Sequence, residues 1–235
     1  MPRAVVRSLV LFLPLLWAGL AQGLDPYITE PAPALAFSEL PNYLSSSLDP
    51  EGTRLVSTTF NKEIAICDVW WKKQIPVAKK SVTAPDILYD TLQPGAFLGV
   101  ISLLGYHEDF RHHNLRPGLY TMRYVQLQQD GNDNAVSPYR DFVILSPGWA
   151  DKDPDAIVPV DELNKRGTLT SHRNEPAVLS LVPINPAYKK NPSAVADDRG
   201  FCSLQVHLQQ QREGKATDLP LAIIIVRPMS ENEGS

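Results

Sequence analysis

Leu115–Pro147, which reads LRPGLYTMRYVQLQQDGNDNAVSPYRDFVILSP, decides the fold class. Leu119–Gln128 and Asp141–Ser146 have the aromatic and β-branched content of strands. Between them, Asp130-Gly131-Asn132-Asp133-Asn134 has the residues that hairpin loops prefer, because Gly and Asn tolerate the left-handed backbone and Asp and Asn bond their own main chain. Pro117-Gly118 sets the entry turn.

The same signals continue outward. Thr53–Phe60 and Glu63–Trp71 read as strands joined by an Asn61-Lys62 turn. Ala96–Leu104 follows the Pro94-Gly95 turn, and Ala177–Pro183 and Leu221–Arg227 are short apolar runs of strand length. Phe201–Gln209 alternates, with Cys202, Leu204, Val206 and Leu208 on one face and Ser203, Gln205, His207 and Gln209 on the other. Helix signals are weak. The best is one or two turns within Pro159–Lys165, and a shorter one lies at Phe37–Leu40. Strands without intervening helices disfavour parallel βαβ units. The expected fold is therefore all-β: an antiparallel β-sandwich, immunoglobulin-like or jelly-roll-like, with little helix. In such folds a corner tyrosine bonds its hydroxyl to the backbone just upstream. Tyr120 or Tyr124 is placed to do this, and simple packing as a strand aromatic is the alternative reading.

The N-terminus has the layout of a cleaved secretory signal. Arg3 and Arg7 precede an apolar run, Leu9–Ala21, and small residues at Ala21 and Gly23 offer a cleavage site. The run is short of the roughly 20 residues a membrane span needs. The expected organisation is a signal peptide over 1–23, a Pro-rich extended lead-in over 24–50, one domain over 51–228 and a disordered tail over 229–235. Residues 1–23 contain two Arg and no acid, so the mature chain carries 20 basic against 26 acidic residues, a net charge of −6. An acidic chain without a basic cluster argues against nucleic acid as partner. The pairs Lys72-Lys73, Lys79-Lys80 and Lys189-Lys190 read as solvated surface lysines.

Resemblance enters at Gly118–Tyr124 (G-L-Y-T-M-R-Y), Ser137–Pro147 (S-P-Y-R-D-F-V-I-L-S-P) and Pro176–Pro183 (P-A-V-L-S-L-V-P). Together they resemble a family of uncharacterised exported bacterial proteins with no known activity, and the likeness covers roughly residues 85–185. It implies export, to the periplasm or outside the cell, and a β-rich fold. Two positions depart from the family pattern. Asp133-Asn134 stand where a loop histidine is expected, and Glu175-Pro176 stand where His-Pro is expected.

Several constellations bear on chemistry. Asp130, Asn132 and Asn134, with Asp141 at the twelfth position, partly match a calcium loop. Ala135 at the glycine position and strand flanks argue for a plain hairpin loop. His107, His112 and His113 lie in H-E-D-F-R-H-H, where His107 and His112 are candidate transition-metal ligands, but no H-E-x-x-H or C-x-x-C spacing accompanies them. No G-x-S-x-G elbow and no Gly-rich phosphate loop is present. The triplet Asp151/Asp153/Asp155 reads as solvation. Tyr139, Arg140 and Asp141 are the binding candidates, with a structural Arg140–Asp141 ion pair as the plainer reading. Trp70, Trp71, Tyr120, Tyr124, Tyr139 and Trp149 are the raw material of a sugar-stacking face, although core packing is the commoner use of such residues. Cys67 and Cys202 are a candidate disulfide that would close a loop of about 135 residues, worth roughly 5 kcal/mol at most; two buried thiols are the alternative. The functional expectation is a non-catalytic exported binding or interaction module with no cofactor and a protein or carbohydrate partner. The alternatives are a metal protein or enzyme built from dispersed loop His and Asp residues, and a carbohydrate-binding module.

Overall fold

Antiparallel pairing runs through almost the whole computed structural model, which describes residues 25–35, 40–59, 62–78, 87–109, 111–127, 139–212 and 214–228. The first half contributes β1 (Tyr27–Pro31), β2 (Thr53–Ser57), β3 (Ile64–Trp71), β5 (Phe97–Leu103), β8 (Gly118–Gln126) and β9 (Asp141–Pro147), hydrogen-bonded in that order. Beyond β9 come β10 (Val178–Val182), β13 (Lys215–Val226), β12 (Cys202–Arg212) and β11 (Ser193–Ala196). A short β4 (Ile75–Pro76) adds to β12 in parallel, and β6 (His107–Glu108) pairs with β7 (Asn114–Leu115) as a separate ribbon.

The strand order draws one continuous curled sheet instead of two independent ones. β10 is the hinge of this path: Val178, Leu179 and Ser180 pair with β9, whereas Leu181 and Val182 pair with β13. Curling brings the ends together, so that the Thr29 hydroxyl on β1 donates to the Pro192 carbonyl just before β11 at 3.1 Å. Alternation then decides which side chains face inward. Cys67, Val69, Met122, Tyr124, Val143, Leu145, Leu179, Leu204, Val206, Ile223 and Ile225 share one buried apolar cluster.

Two smaller clusters cover the outer face. Leu40, Leu44 and Leu48, on and flanking α1 (Asn42–Ser45), pack on Trp70, Phe97 and Val100. With β1 in the sheet, much of the expected lead-in over 24–50 is therefore part of the domain. Extended backbone rich in Pro is compatible with an edge strand, which needs only one paired side. The second cover is α2 (Val160–Ser171), longer than the turn expected within Pro159–Lys165. Pro159 precedes it, Asp161 and Glu162 complement its N-terminal dipole, and His172 in the left-handed region ends it. Leu163, fully buried, joins Val125, Phe142, Ile144 and Val178, a burial worth about 1.5–3 kcal/mol. Gly167 makes the close approach possible, because a Cβ there would lie 2.5 Å from Pro176 and 2.7 Å from Ile144.

The tyrosine corner is found at Tyr120, whose hydroxyl donates to the Arg116 carbonyl at 2.8 Å. The expected Phe37–Leu40 turn lies outside the described residues apart from Leu40. No helix among the described residues is long and apolar enough to cross a membrane.

Candidate functional site

A polar cleft of about 770 Å3 opens where α1, the β3–β4 connection and the loop after β9 meet. Tyr43, Ser46 and Ser47 form one wall, Lys72, Lys73 and Gln74 the floor, and Pro154, Asp155 and Gln211 the far side. That volume falls within the range of about 300–1,000 Å3 usual for small-molecule sites.

Its walls are tied to the sheet by backbone bonds. Lys72 N–H donates to the Leu98 carbonyl at 2.8 Å and Lys73 N–H to Ser47 at 3.0 Å, while Asp49 N–H donates to Trp71 at 2.8 Å. The Lys72 ammonium is buried and donates to the Pro154 carbonyl at 2.7 Å and to Asp155 Oδ1 at 2.8 Å. Lys72 is thus not the solvated lysine its sequence context implied. Asp155 remains largely solvated, so this pair contributes mainly by position and adds at most about 1 kcal/mol.

The loop that carries Pro154 and Asp155 is held by Arg123, on β8. Its side chain has no exposure, and its five N–H donors meet five acceptors. Nε and Nη2 grip Asp151 at 2.6 and 2.7 Å, Nη1 reaches the Gly95 and Ala156 carbonyls at 2.8 and 2.6 Å, and Nη2 reaches the Asp153 carbonyl at 2.6 Å. Gly95 has φ of 86°, and a Cβ there would lie 2.2 Å from the Val158 carbonyl. Only glycine allows that loop to seat so closely. Asp151 is fully internal, a correction to its reading as solvation. Arg123 was not singled out in the sequence; a lone Arg in an otherwise apolar strand was the available signal.

The binding candidates have structural employment. Asp141 is completely buried. Its carboxylate accepts from the Tyr124 hydroxyl and from the Leu88 and Tyr89 N–H groups at 2.8 and 3.3 Å. Burial pushes its pKa upward, against the lowering effect of these donors. Arg140 donates through Nε and Nη2 to the Leu127 carbonyl at 2.8 and 2.6 Å. Tyr139 is half-buried beside it. Asp141 is therefore not accessible from solvent, and it anchors residues 88–89 from within. Tyr89 extends the network, its hydroxyl donating to the Val182 carbonyl at 2.6 Å and accepting from Ala222 N–H at 2.9 Å.

The other calcium-loop residues, Asp130, Asn132 and Asn134, lie outside the described residues. His107, His112 and His113 gather at the β6–β7 ribbon. His107 bonds the Ile225 backbone, and desolvation lowers its pKa. His112 Nδ1 pairs with Glu108, and its Nε2 faces Arg227 Nη2 at 3.2 Å. Asp109, buried, accepts from Arg111, His113 and Val178 N–H groups and holds His113 Nδ1 at 3.0 Å. Glu175 lies 3.3 Å from Arg111 Nη1 and 3.9 Å from His113 Nε2. The corner is thus a network of paired charges. Among the described residues no group of three or more His, Cys, Asp or Glu is arranged to hold a metal ion.

Cys67 and Cys202 are free thiols buried in the interior cluster, so the candidate bond is not formed. Burial raises both pKa values, that of Cys202 to about 12, which makes them poor nucleophiles. Trp70, Trp71, Tyr120 and Tyr124 are buried, whereas Trp149 is 71% exposed. These aromatics therefore form no flat exposed row. No known protein family, curated protein or solved structure matches this chain.

Proposed function

We propose that this chain is an exported, non-catalytic binding module whose ligand occupies the Lys72–Lys73 cleft. The single observation that carries the reading is that cleft: open, polar and built on groups already tied to the sheet. Prior fixing of the walls reduces the ordering cost of association. Charged and polar side chains reach into the opening without the nucleophile–base geometry that catalysis requires. Export rests on the N-terminal Arg3, Arg7 and Leu9–Ala21 pattern and on the resemblance to exported bacterial proteins. A sandwich-like flattening of the curled sheet fits the single apolar cluster that strands from both ends of the strand order share.

Hydrogen exchange read by mass spectrometry tests the binding reading. The purified protein is incubated with pools of small polar compounds: organic acids, amino acids, sugars and sugar acids. Protection is expected at residues 43–48, 72–77 and 154–155. A panel that protects none of them, or that protects the 107–113 corner instead, rejects the cleft as the site.

A further inference from the structure

The cleft's hydrogen-bonding groups are unequal in a way that selects among ligands. Two lysines face one aspartate across it. Asp155 is engaged by Lys72, whereas the exposed Lys73 ammonium donates to a neutral partner, the Ser46 carbonyl, at 2.9 Å. No carboxylate among the described residues forms an ion pair with Lys73. One positive charge is therefore left over in a chain whose total is negative.

The serines add a second constraint. Ser46 Oγ donates to the Tyr43 carbonyl at 3.2 Å and Ser47 Oγ to the Leu44 carbonyl at 2.7 Å. With their protons committed, both oxygens are left as acceptors. A fully deprotonated anion such as a simple carboxylate or sulfate brings no donor to them. A ligand with hydroxyl groups does. Gln74 and Gln211, both exposed, can donate and accept. Tyr43 lends a ring that is 44% exposed, with its hydroxyl donating to the Asp151 carbonyl at 3.4 Å. Such a face packs against the C–H side of a sugar ring.

We propose that the cleft takes an acidic saccharide, with its carboxylate on Lys73, its hydroxyls on Ser46 and Ser47, and a ring face on Tyr43. This inference rests on the cleft being the binding site. The recognition element is a short stretch of Lys73, Gln74 and the Ser46 and Ser47 hydroxyls that follow α1, not the aromatic strip of a surface sugar platform.

Nuclear magnetic resonance titration of the whole protein with α-1,4-linked digalacturonic acid, and with its neutral counterpart galactobiose, tests it. The acid is expected to shift amides of residues 43–47 and 72–77, to bind at least about tenfold more tightly than the neutral sugar, and to weaken as salt is raised. Lys73→Gln, a surface change whose folding is checked by its thermal midpoint, is expected to lose about tenfold in affinity, the scale of one charge-assisted hydrogen bond. Equal affinity for both sugars, or an unchanged Lys73→Gln variant, overturns the acidic-saccharide assignment. If digalacturonate shifts nothing while other polar compounds still protect the cleft, the assignment falls and the binding reading stands. If neither experiment perturbs the cleft, both fall.

Discussion

Arg123 and Asp151 meet as a buried fork, Nε to Oδ2 at 2.6 Å and Nη2 to Oδ1 at 2.7 Å, neither side chain more than 1% exposed. The fork joins the middle of β8 to the loop that forms one side of the polar cleft. Its remaining donors close on the Ala156 and Asp153 carbonyls of that loop and on the Gly95 carbonyl before β5, so it carries no unsatisfied N–H into the interior.

Breaking this pair from one side is expected to be costly. Asp151→Asn leaves a guanidinium buried without its counter-charge, and a loss of about 3–5 kcal/mol follows. Urea denaturation measures it. Hydrogen exchange should show the 151–156 loop opening in the same variant. Arg166, 3.5 Å from Asp151, loses the same counter-charge, so a loss below about 1 kcal/mol would mean that the fork is not the loop's anchor.

Tyr124→Phe removes a donor from a buried carboxylate, with an expected cost of about 1–3 kcal/mol at neutral pH. Asp141 has its folded pKa above the ordinary 3.8. Its contribution is therefore fully present below that value and is lost as pH rises through the folded pKa. Because the Tyr124 hydroxyl stabilises the ionised form, the penalty of Tyr124→Phe should grow from pH 3.5 to pH 7. Paired urea titrations at both pH values decide this, and a penalty larger at pH 3.5 contradicts it.

His107 has the opposite dependence. Its folded pKa lies below the ordinary 6.5 because burial disfavours the imidazolium. Its share of stability is present above pH 6.5 and is lost as pH falls through the lower, folded value. His107→Asn is expected to be less stable than the parent at pH 7.5 and to lose less on acidification to pH 5. Parallel slopes for the two proteins would show that His107 does not drive the acid sensitivity.

Gly167→Ala sets two effects against each other. In an isolated helix the change gains up to about 1 kcal/mol. Here the new methyl meets Pro176 at 2.5 Å and Ile144 at 2.7 Å, and overpacking costs about 1–3 kcal/mol. Net destabilisation is expected, visible as a lower thermal midpoint. A raised midpoint would show that α2 shifts away from β9 at little cost.

The two thiols offer a simple assay. Ellman's reagent should titrate none in the native protein and both in denaturant, since both cysteines are buried and free. A purified protein with no titratable thiol in denaturant would show that Cys67 and Cys202 have bonded.

Legibility followed the range of the interactions. The hairpin of β2 and β3, the β8–β9 pair and the alternating face of β12 depend on period-two patterning and local turns, and the residues display them directly. β1 was missed because its Pro-rich edge reads as a linker unless its partner is known. α2 was under-read because Gly167, Thr168 and Thr170 lower its local helix propensity, while burial of Leu163 supplies what propensity lacks. In the cleft, the Lys72-Lys73 pair was visible as charge, but its burial was not.

Sequence alone determined the strand-rich class and the acidic balance of the chain, because each depends on neighbours in the chain or on a sum over it; it left the corner tyrosine open between Tyr120 and Tyr124, which the Tyr120–Arg116 bond decided. Tertiary structure decided which charges became internal. Lys72 and Asp155 are 83 positions apart, and Arg123 and Asp151 are 28 apart. Whether a charge is buried and paired or left in water depends on the group that folding brings opposite it, here the loop after β9 that Arg123 holds against the sheet.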